Sequence, residues 1–211
     1  DEIEPMKYKS KMKEVFNQAG LNTARGKVID NLEEAEEFIA EVGYPVVVKP
    51  DNGVGAVDTY KINNHEQLVD FIESKLDLDY IMEEYIEGKI YTFDGLTDGD
   101  GNIVFSSSMT YKGGIMETVN EGLDMYYYIP RELPEDIVEA GMKTAEAFEL
   151  KERFFHFEYF KLDDGRIVAL EVNVRPPGGL TLDMFNYAND INIYKGYAEL
   201  IAHSRFDQDI S

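Results

Sequence analysis

The chain has 211 residues, a formal net charge of −22 and 44% hydrophobic residues, so it can bury a core and is not wholly disordered, and its charge repels nucleic acid and anionic membranes. It contains no cysteine, which removes disulfides, zinc thiolates and thiol nucleophiles together and fits a reducing, cytoplasmic setting. No apolar run approaches the ~18 residues of a membrane helix, and the acidic opening Asp1-Glu2-Ile3-Glu4-Pro5 lacks the apolar region of a signal peptide.

In chain order, residues 6–19 read as a helix, with Met12, Val15 and Phe16 on one side, lysines elsewhere and Gly20 as its stop. Asn31 followed by Glu34, and Asn64 followed by Gln67, have the spacing of capping boxes and open helices running to about residues 42 and 75. Strands are predicted at 46–49, 59–62, 80–83, 90–96 and 103–111. A helix over 133–148 precedes strands at 154–161 and 166–173, and helices close the chain. Alternating helix and strand signals predict an α+β fold. Residues 1–86 read as a small lobe with the opening helix, and residues 87–211 as a larger, sheet-based lobe.

The most informative stretch runs from Phe154 to Asn173. Asp164-Gly165 has the composition of a two-residue type I′ turn, which pairs Asp163 with Arg166. Counting outward, Glu158 falls opposite Glu171 and His156 opposite Asn173, all four on one face. Directly opposed residues have Cβ atoms about 4.5–5.5 Å apart, and like charges so placed repel. Such a pair needs a cation, a shared proton or open water. The surrounding Phe and Val residues argue for burial, and two carboxylates with an amide oxygen form a hard ligand set suited to Mg²⁺ or Mn²⁺.

With Glu171-Val172-Asn173 continuing into Arg175-Pro176-Pro177-Gly178-Gly179, the sequence resembles the ATP-grasp superfamily, of the carboxylate–amine ligase type and related to the carbamoyl phosphate synthase large subunit. The resemblance covers residues 9–202. It implies an ATP-grasp fold, a small lid lobe and a larger antiparallel-sheet lobe with ATP between them. Glu158, Glu171 and Asn173 would then hold magnesium on the ATP phosphates, and Arg175 would contact the substrate carboxylate or its acyl phosphate.

Earlier segments match in order. The run 43–50 resembles the family's phosphate-binding strand with Lys49 on a phosphate, followed by a glycine-rich flap with Gly53 and Gly55. Met82-Glu83-Glu84-Tyr85-Ile86 resembles the hinge, where Glu83, Glu84 and Ile86 would meet the adenine, partly through main chain. Lys9, eleven residues before Gly20, matches a phosphate-reaching lysine, with Lys7, Lys11 and Lys13 as near competitors. The family's ribose-binding acid has no clear counterpart, and Asp94 is the substitute.

By resemblance, the chain activates a carboxylate as an acyl phosphate for an amine, with no nucleophile of its own. The open alternatives are a non-catalytic ATP-binding module or part of a split or truncated ligase, a divalent-cation binder, and an enzyme using bicarbonate. Relatives carry a further domain before the opening helix, so a missing domain or partner chain is expected. His156 is expected to pack and hydrogen-bond beside the hairpin. The stretches 116–121 and 125–129, and Asp183 to Tyr187, are candidates for substrate contact.

Overall fold

A computed structural model describes residues 3–53, 57–112, 124 and 126–209. The first helix, α1 (Lys9–Gln18), starts later than residue 6. Pro5 sits in a separate 3₁₀ turn over Glu4–Met6, and Tyr8 is extended and bridged to Asn52, which interrupts the helix path. Tyr8 offers α1 no side-chain cap. The cap comes from far along the chain: Ser10 donates its N–H to Asp51 Oδ1 and its hydroxyl to Asp51 Oδ2, both at 2.7 Å. Gly20, at φ 73°, ends the helix, and the Leu21 N–H reaches back to the Phe16 carbonyl at 2.9 Å.

The smaller sheet is antiparallel, in the order β2 (Gly26–Ile29), β5 (Tyr80–Glu84), β3 (Val46–Pro50), β4 (Tyr60–Ile62). Both expected capping boxes form. Asn31 accepts the Glu34 N–H and Asn64 the Gln67 N–H, each at 3.0 Å, opening α2 (Leu32–Val42) and α3 (His65–Ser74). Phe38 of α2 and Leu68 and Phe71 of α3 cover one face of this sheet, against Val46, Val48, Tyr80 and Met82. Because strand side chains alternate, Val47, Lys49 and Glu83 point to the other face. Strand β2 is an addition to the predicted elements, since Ile29 is its one buried residue and it shows no apolar alternation.

Among the described residues the larger sheet has seven strands. They are β1 (Asn22–Thr23), β6 (Lys89–Thr97), β7 (Ile103–Ser107), β8 (Thr110–Lys112), β9 (Tyr126–Tyr128), β10 (Phe154–Lys161) and β11 (Ile167–Asn173). The order β1-β11-β10-β6-β8-β9 is antiparallel except for the parallel β1–β11 pair, and β7 also pairs with β6. The expected strand at 103–111 is thus two short strands, β7 and β8, both pairing with β6. One face of the sheet carries Phe155, Phe157 and Tyr159 into a core with Met12 and Phe16 of α1 and Ile137 of α4 (Glu135–Ala147). The opening helix, expected with the smaller lobe, therefore packs on the larger sheet. Helices α5 (Thr181–Asn189) and α6 (Ile193–His203) bring Phe185, Ile193 and Leu200 against Leu96, Phe105 and Phe154.

Helix α4 approaches the sheet closely at Gly141, where an added Cβ would lie 2.1 Å from the Phe93 ring. Alanine favours a helix interior by about 1 kcal/mol, but overpacking costs about 1–3 kcal/mol and sometimes more. A contact of 2.1 Å belongs at the upper end, so Gly141→Ala is expected to lower the thermal midpoint. An unchanged midpoint would mean that α4 slides on the sheet without penalty.

The β10–β11 hairpin departs from expectation at its tip. Its turn is not type I′, since Asp164 lacks the positive φ that this turn requires. Leu162 pairs with Arg166 around a three-residue loop, the Gly165 N–H donating to the Leu162 carbonyl at 3.0 Å with Gly165 at φ 85°. That displaces the register by one residue, so Tyr159 faces Ala169. A bulge at Leu170 then restores the expected register. Glu158 faces Glu171 and His156 faces Asn173.

Candidate functional site

The two sheets face each other across a cavity of about 340 Å³. Alternation along four strands delivers its polar groups: Lys49 from β3, Glu83 from β5, Glu158 from β10 and Glu171 from β11. Helix α1 adds Lys9 and Lys13, which are four residues apart and so share a helix face. Val47, Ile86, Ile90, Phe160 and Leu170 add apolar lining to the same cavity.

At the smaller sheet, the Glu83 carboxylate lies between two ammonium groups. Lys13 Nζ is 2.6 Å from Oε1 and Lys49 Nζ is 2.6 Å from Oε2. Burial alone would raise the Glu83 pKa, but Lys49 and Lys13 override it and hold it at about 2. Lys13 is drawn below the usual lysine range because burial and the neighbouring Lys49 charge outweigh its share of one carboxylate. Lys13 also donates to the Ala24 carbonyl at 2.8 Å. The Glu84 side chain turns away into a fork with Arg25, at 3.0 and 2.8 Å, and the Glu84 N–H donates to the Arg25 carbonyl at 3.0 Å. Glu84 lines the cavity with those groups already engaged.

At the larger sheet, His156 is buried between two carboxylates. Its Nδ1 lies 2.5 Å from Asp94 and its Nε2 3.1 Å from Glu158. Thr92 donates its hydroxyl to the other Asp94 oxygen and accepts the Met109 N–H at 2.8 Å. Burial alone would lower the His156 pKa, but Asp94 and Glu158 override it and hold the ring charged, at about 10. The same imidazolium pulls Glu158 down against its burial, whereas burial and the Glu158 charge push Glu171 up. The two opposed carboxylates are therefore unequal: Glu158 is paired with the imidazolium, and Glu171 only with the more distant Lys9. Lys9 approaches Glu171 only to 3.7 Å and gives its hydrogen bond to the Gly53 carbonyl at 2.7 Å. Asn173 donates its amide N–H to Glu171 at 3.2 Å.

Among the described residues, no three His, Asp or Glu side chains form a ready metal cage. Glu158, Glu171 and the Asn173 amide oxygen are instead a partial oxygen set with one weakly paired acid. That suits a cation that completes its shell with waters and substrate phosphates.

The structure brings Lys9, Lys49, Glu83, Glu84, Ile86, Glu158 and Glu171 together on one cavity. Asn173 and Gly53 are not among its lining residues but bond two that are, Glu171 and Lys9. Arg175 is exposed, donates to the Pro176 carbonyl at 2.9 Å, and acts on Glu158 through charge. Gly55 and the stretch 116–121 lie outside the described residues. Asp94 is fully buried against His156 and Thr92, which takes it away from a ribose role. Lys13 enters the sequence analysis only as a competitor of Lys9, and His156 is expected to hydrogen-bond without a named partner; the Lys13–Glu83 and Asp94–His156 contacts themselves are not foreseen. The spacing of Lys13 from Lys9 is the available signal for the first, and the second has none, because Asp94 and His156 meet only across neighbouring strands. No described helix is long and apolar enough to cross a membrane.

A family model described as an ATP-grasp domain matches residues 42–183. The carbamoyl phosphate synthase large chain of Clostridium acetobutylicum is 24% identical over 83% of this chain, which spans 17% of that protein's length. Among solved structures, an L-amino acid ligase from Bacillus licheniformis superposes with a TM-score of 0.73 at 20% identity, covering 99% of this chain and 50% of its own. The biotin carboxylase domain of the Hydrogenobacter thermophilus 2-oxoglutarate carboxylase, solved with MgADP and bicarbonate, gives 0.72 at 22% identity, covering 97% and 47%.

Proposed function

The chain belongs to the ATP-grasp family, and from that premise we propose that it binds ATP between its sheets and activates a carboxylate as an acyl phosphate for capture by an amine. The observation that carries this reading is the convergence of Lys9, Lys49, Glu158 and Glu171 on one cavity that also has apolar lining. The smaller sheet with α2 and α3 serves as the lid lobe, and the larger sheet with α1 as the base.

Lys9, Lys49, Gly53 and Gly55 hold the phosphates in this reading. Ile86 with the main chain near Glu84 meets the base, beside Glu83. Glu158, Glu171 and Asn173 are the residues that would hold Mg²⁺ or Mn²⁺. When bound, that ion supplies neutralisation of phosphate charge. Arg175 steers the carboxylate, whose oxygen attacks the γ-phosphorus as ADP leaves. The amine then adds to the carbonyl carbon, phosphate departs and the amine loses a proton. The cleft walls exclude water from the acyl phosphate. The absence of cysteine fits a cytoplasmic setting. The biotin carboxylase domain solved with MgADP and bicarbonate supports the cation, and supports bicarbonate as one candidate acid.

Calorimetric titration with ADP tests this. Saturable binding, strengthened by Mg²⁺, is expected. Lys49→Ala should weaken binding about 10-fold or more even without Mg²⁺, since a charge-assisted bond to phosphate contributes about 1.5–3 kcal/mol. Equal affinity in wild type and Lys49→Ala would remove Lys49 from the phosphate site. ADP release in the presence of pooled carboxylates and amines then identifies the substrates.

A further inference from the structure

Lys13 lines the cavity without a role in the proposed reaction. It comes from α1, whose neighbours Met12 and Phe16 are anchored in the core of the larger sheet. Its partner Glu83 stands on the smaller sheet beside Val47, two residues from Lys49 on the adjacent strand. The three side chains are nearly dry, with 12%, 6% and 9% of the Lys13, Glu83 and Lys49 surfaces exposed. Gly26 leaves room for them, since a Cβ there would lie 3.1 Å from Glu83 Cγ and 3.3 Å from Lys13 Cε.

The arrangement holds two cations on one anion, and Lys49 has two demands on it. Its ammonium is bonded to Glu83 in the structure, at 2.6 Å, and the nucleotide reading requires the same group to serve a phosphate. With Lys49 as the sole partner, turning to the phosphate would strand a buried carboxylate, which is strongly unfavourable. Lys13 removes that conflict. It sits on the opposite oxygen of Glu83 and is tethered by the Ala24 carbonyl. We propose that Lys13 is the resident counterion of Glu83 and so frees Lys49 for the nucleotide phosphates, acting as a positioning residue that does not touch the nucleotide. The inference rests on the nucleotide reading of the cavity.

Charge counting gives the test. Lys13, Lys49 and Glu83 together carry a net charge of +1. Lys13→Met leaves a neutral Lys49–Glu83 pair with nothing to offer a phosphate. Replacing Glu83 by glutamine in that variant returns the net charge to +1 and removes the need for a counterion. ADP affinity is measured calorimetrically for wild type, Lys13→Met, Glu83→Gln, the double variant and Lys13→Arg, at a temperature where circular dichroism shows each folded.

Lys13→Met should bind ADP about 10-fold more weakly than wild type, as expected for losing a charge-assisted contact. In the Glu83→Gln background the same change should matter by less than about 3-fold, because the coupling has been removed. Lys13→Arg, which keeps the charge, should bind as wild type does. An equal loss from Lys13→Met in both backgrounds, or a loss in Lys13→Arg as large as in Lys13→Met, would overturn the counterion role. Failure of the wild-type chain to bind ADP would instead overturn the nucleotide reading, and this inference with it.

Discussion

Glu83→Ala is expected to destabilise the chain by about 3–5 kcal/mol, the usual result of removing one member of a buried ion-pair group. For a chain of this size that corresponds to a fall of roughly 10 °C in the thermal midpoint. The loss does not measure the attraction in the native trio. It measures what is left behind: Lys13 and Lys49 buried without the carboxylate that each contacts at 2.6 Å. Denaturant titration gives the figure. A loss below about 1 kcal/mol, the range of an exposed pair, would show that water enters the cleft and that the lysines are not confined.

The same pair makes a pH prediction with a definite sign. The Glu83 pKa is held at about 2 in the folded chain, below the ordinary value of 4.5. A depressed acid contributes stability that is fully present above the unfolded value and is lost as pH falls through the folded one. Wild type should therefore lose stability between about pH 4.5 and 2, by roughly 3 kcal/mol from this group. Glu83→Gln should lack that component of the slope. Parallel acid profiles for the two proteins would contradict the ion-pair assignment.

The second large effect is expected at Glu171, where function and stability should part. Glu171 is buried, faces Glu158 across the hairpin, and is pushed up by burial and by that charge. Glu171→Ala relieves a like-charge contact but takes from Lys9 a carboxylate 3.7 Å away, while Lys9 keeps its bond to the Gly53 carbonyl, so the thermal midpoint should change little. Nucleotide affinity without Mg²⁺ should also change little. The strengthening of binding by Mg²⁺ should fall about 100-fold, since even partners of metal ligands typically contribute 10–100-fold to affinity. Unchanged Mg²⁺ strengthening would show that the cation binds elsewhere. A large fall in midpoint would show that Glu171 is a structural partner of Lys9 rather than an acid awaiting a cation.

Much of this site is legible in the order of its residues. Capping boxes are local, and Asn31 and Asn64 open their helices as expected because three residues suffice to close each one. The opposition of Glu158 and Glu171 is legible too, although by a route that the fold amends. The turn is one residue longer than its composition predicts, and the bulge at Leu170 offsets it. Local turn chemistry does not reveal this, because a bulge answers to packing on both faces of the sheet.

The rest depends on long-range placement. Capping of α1 by Asp51 joins residues 41 apart in sequence, and the His156–Asp94 contact joins residues 62 apart. The placement of α1 on the larger sheet follows from where Met12 and Phe16 find apolar neighbours, and no helical period encodes that choice.

The family, the α+β order of elements and the facing acids of the hairpin can be read along the chain, because each is written in motifs or in short-range periodicity. Which lysine meets which partner is settled by the fold. Lys7, Lys9, Lys11 and Lys13 look alike along the chain, but Lys9 and Lys13 line the cleft while Lys7 is exposed and Lys11 pairs with Glu4. A lysine becomes part of a site when burial strips its water and a distant carbonyl or carboxylate replaces it, and those partners lie on strands that only the fold brings near.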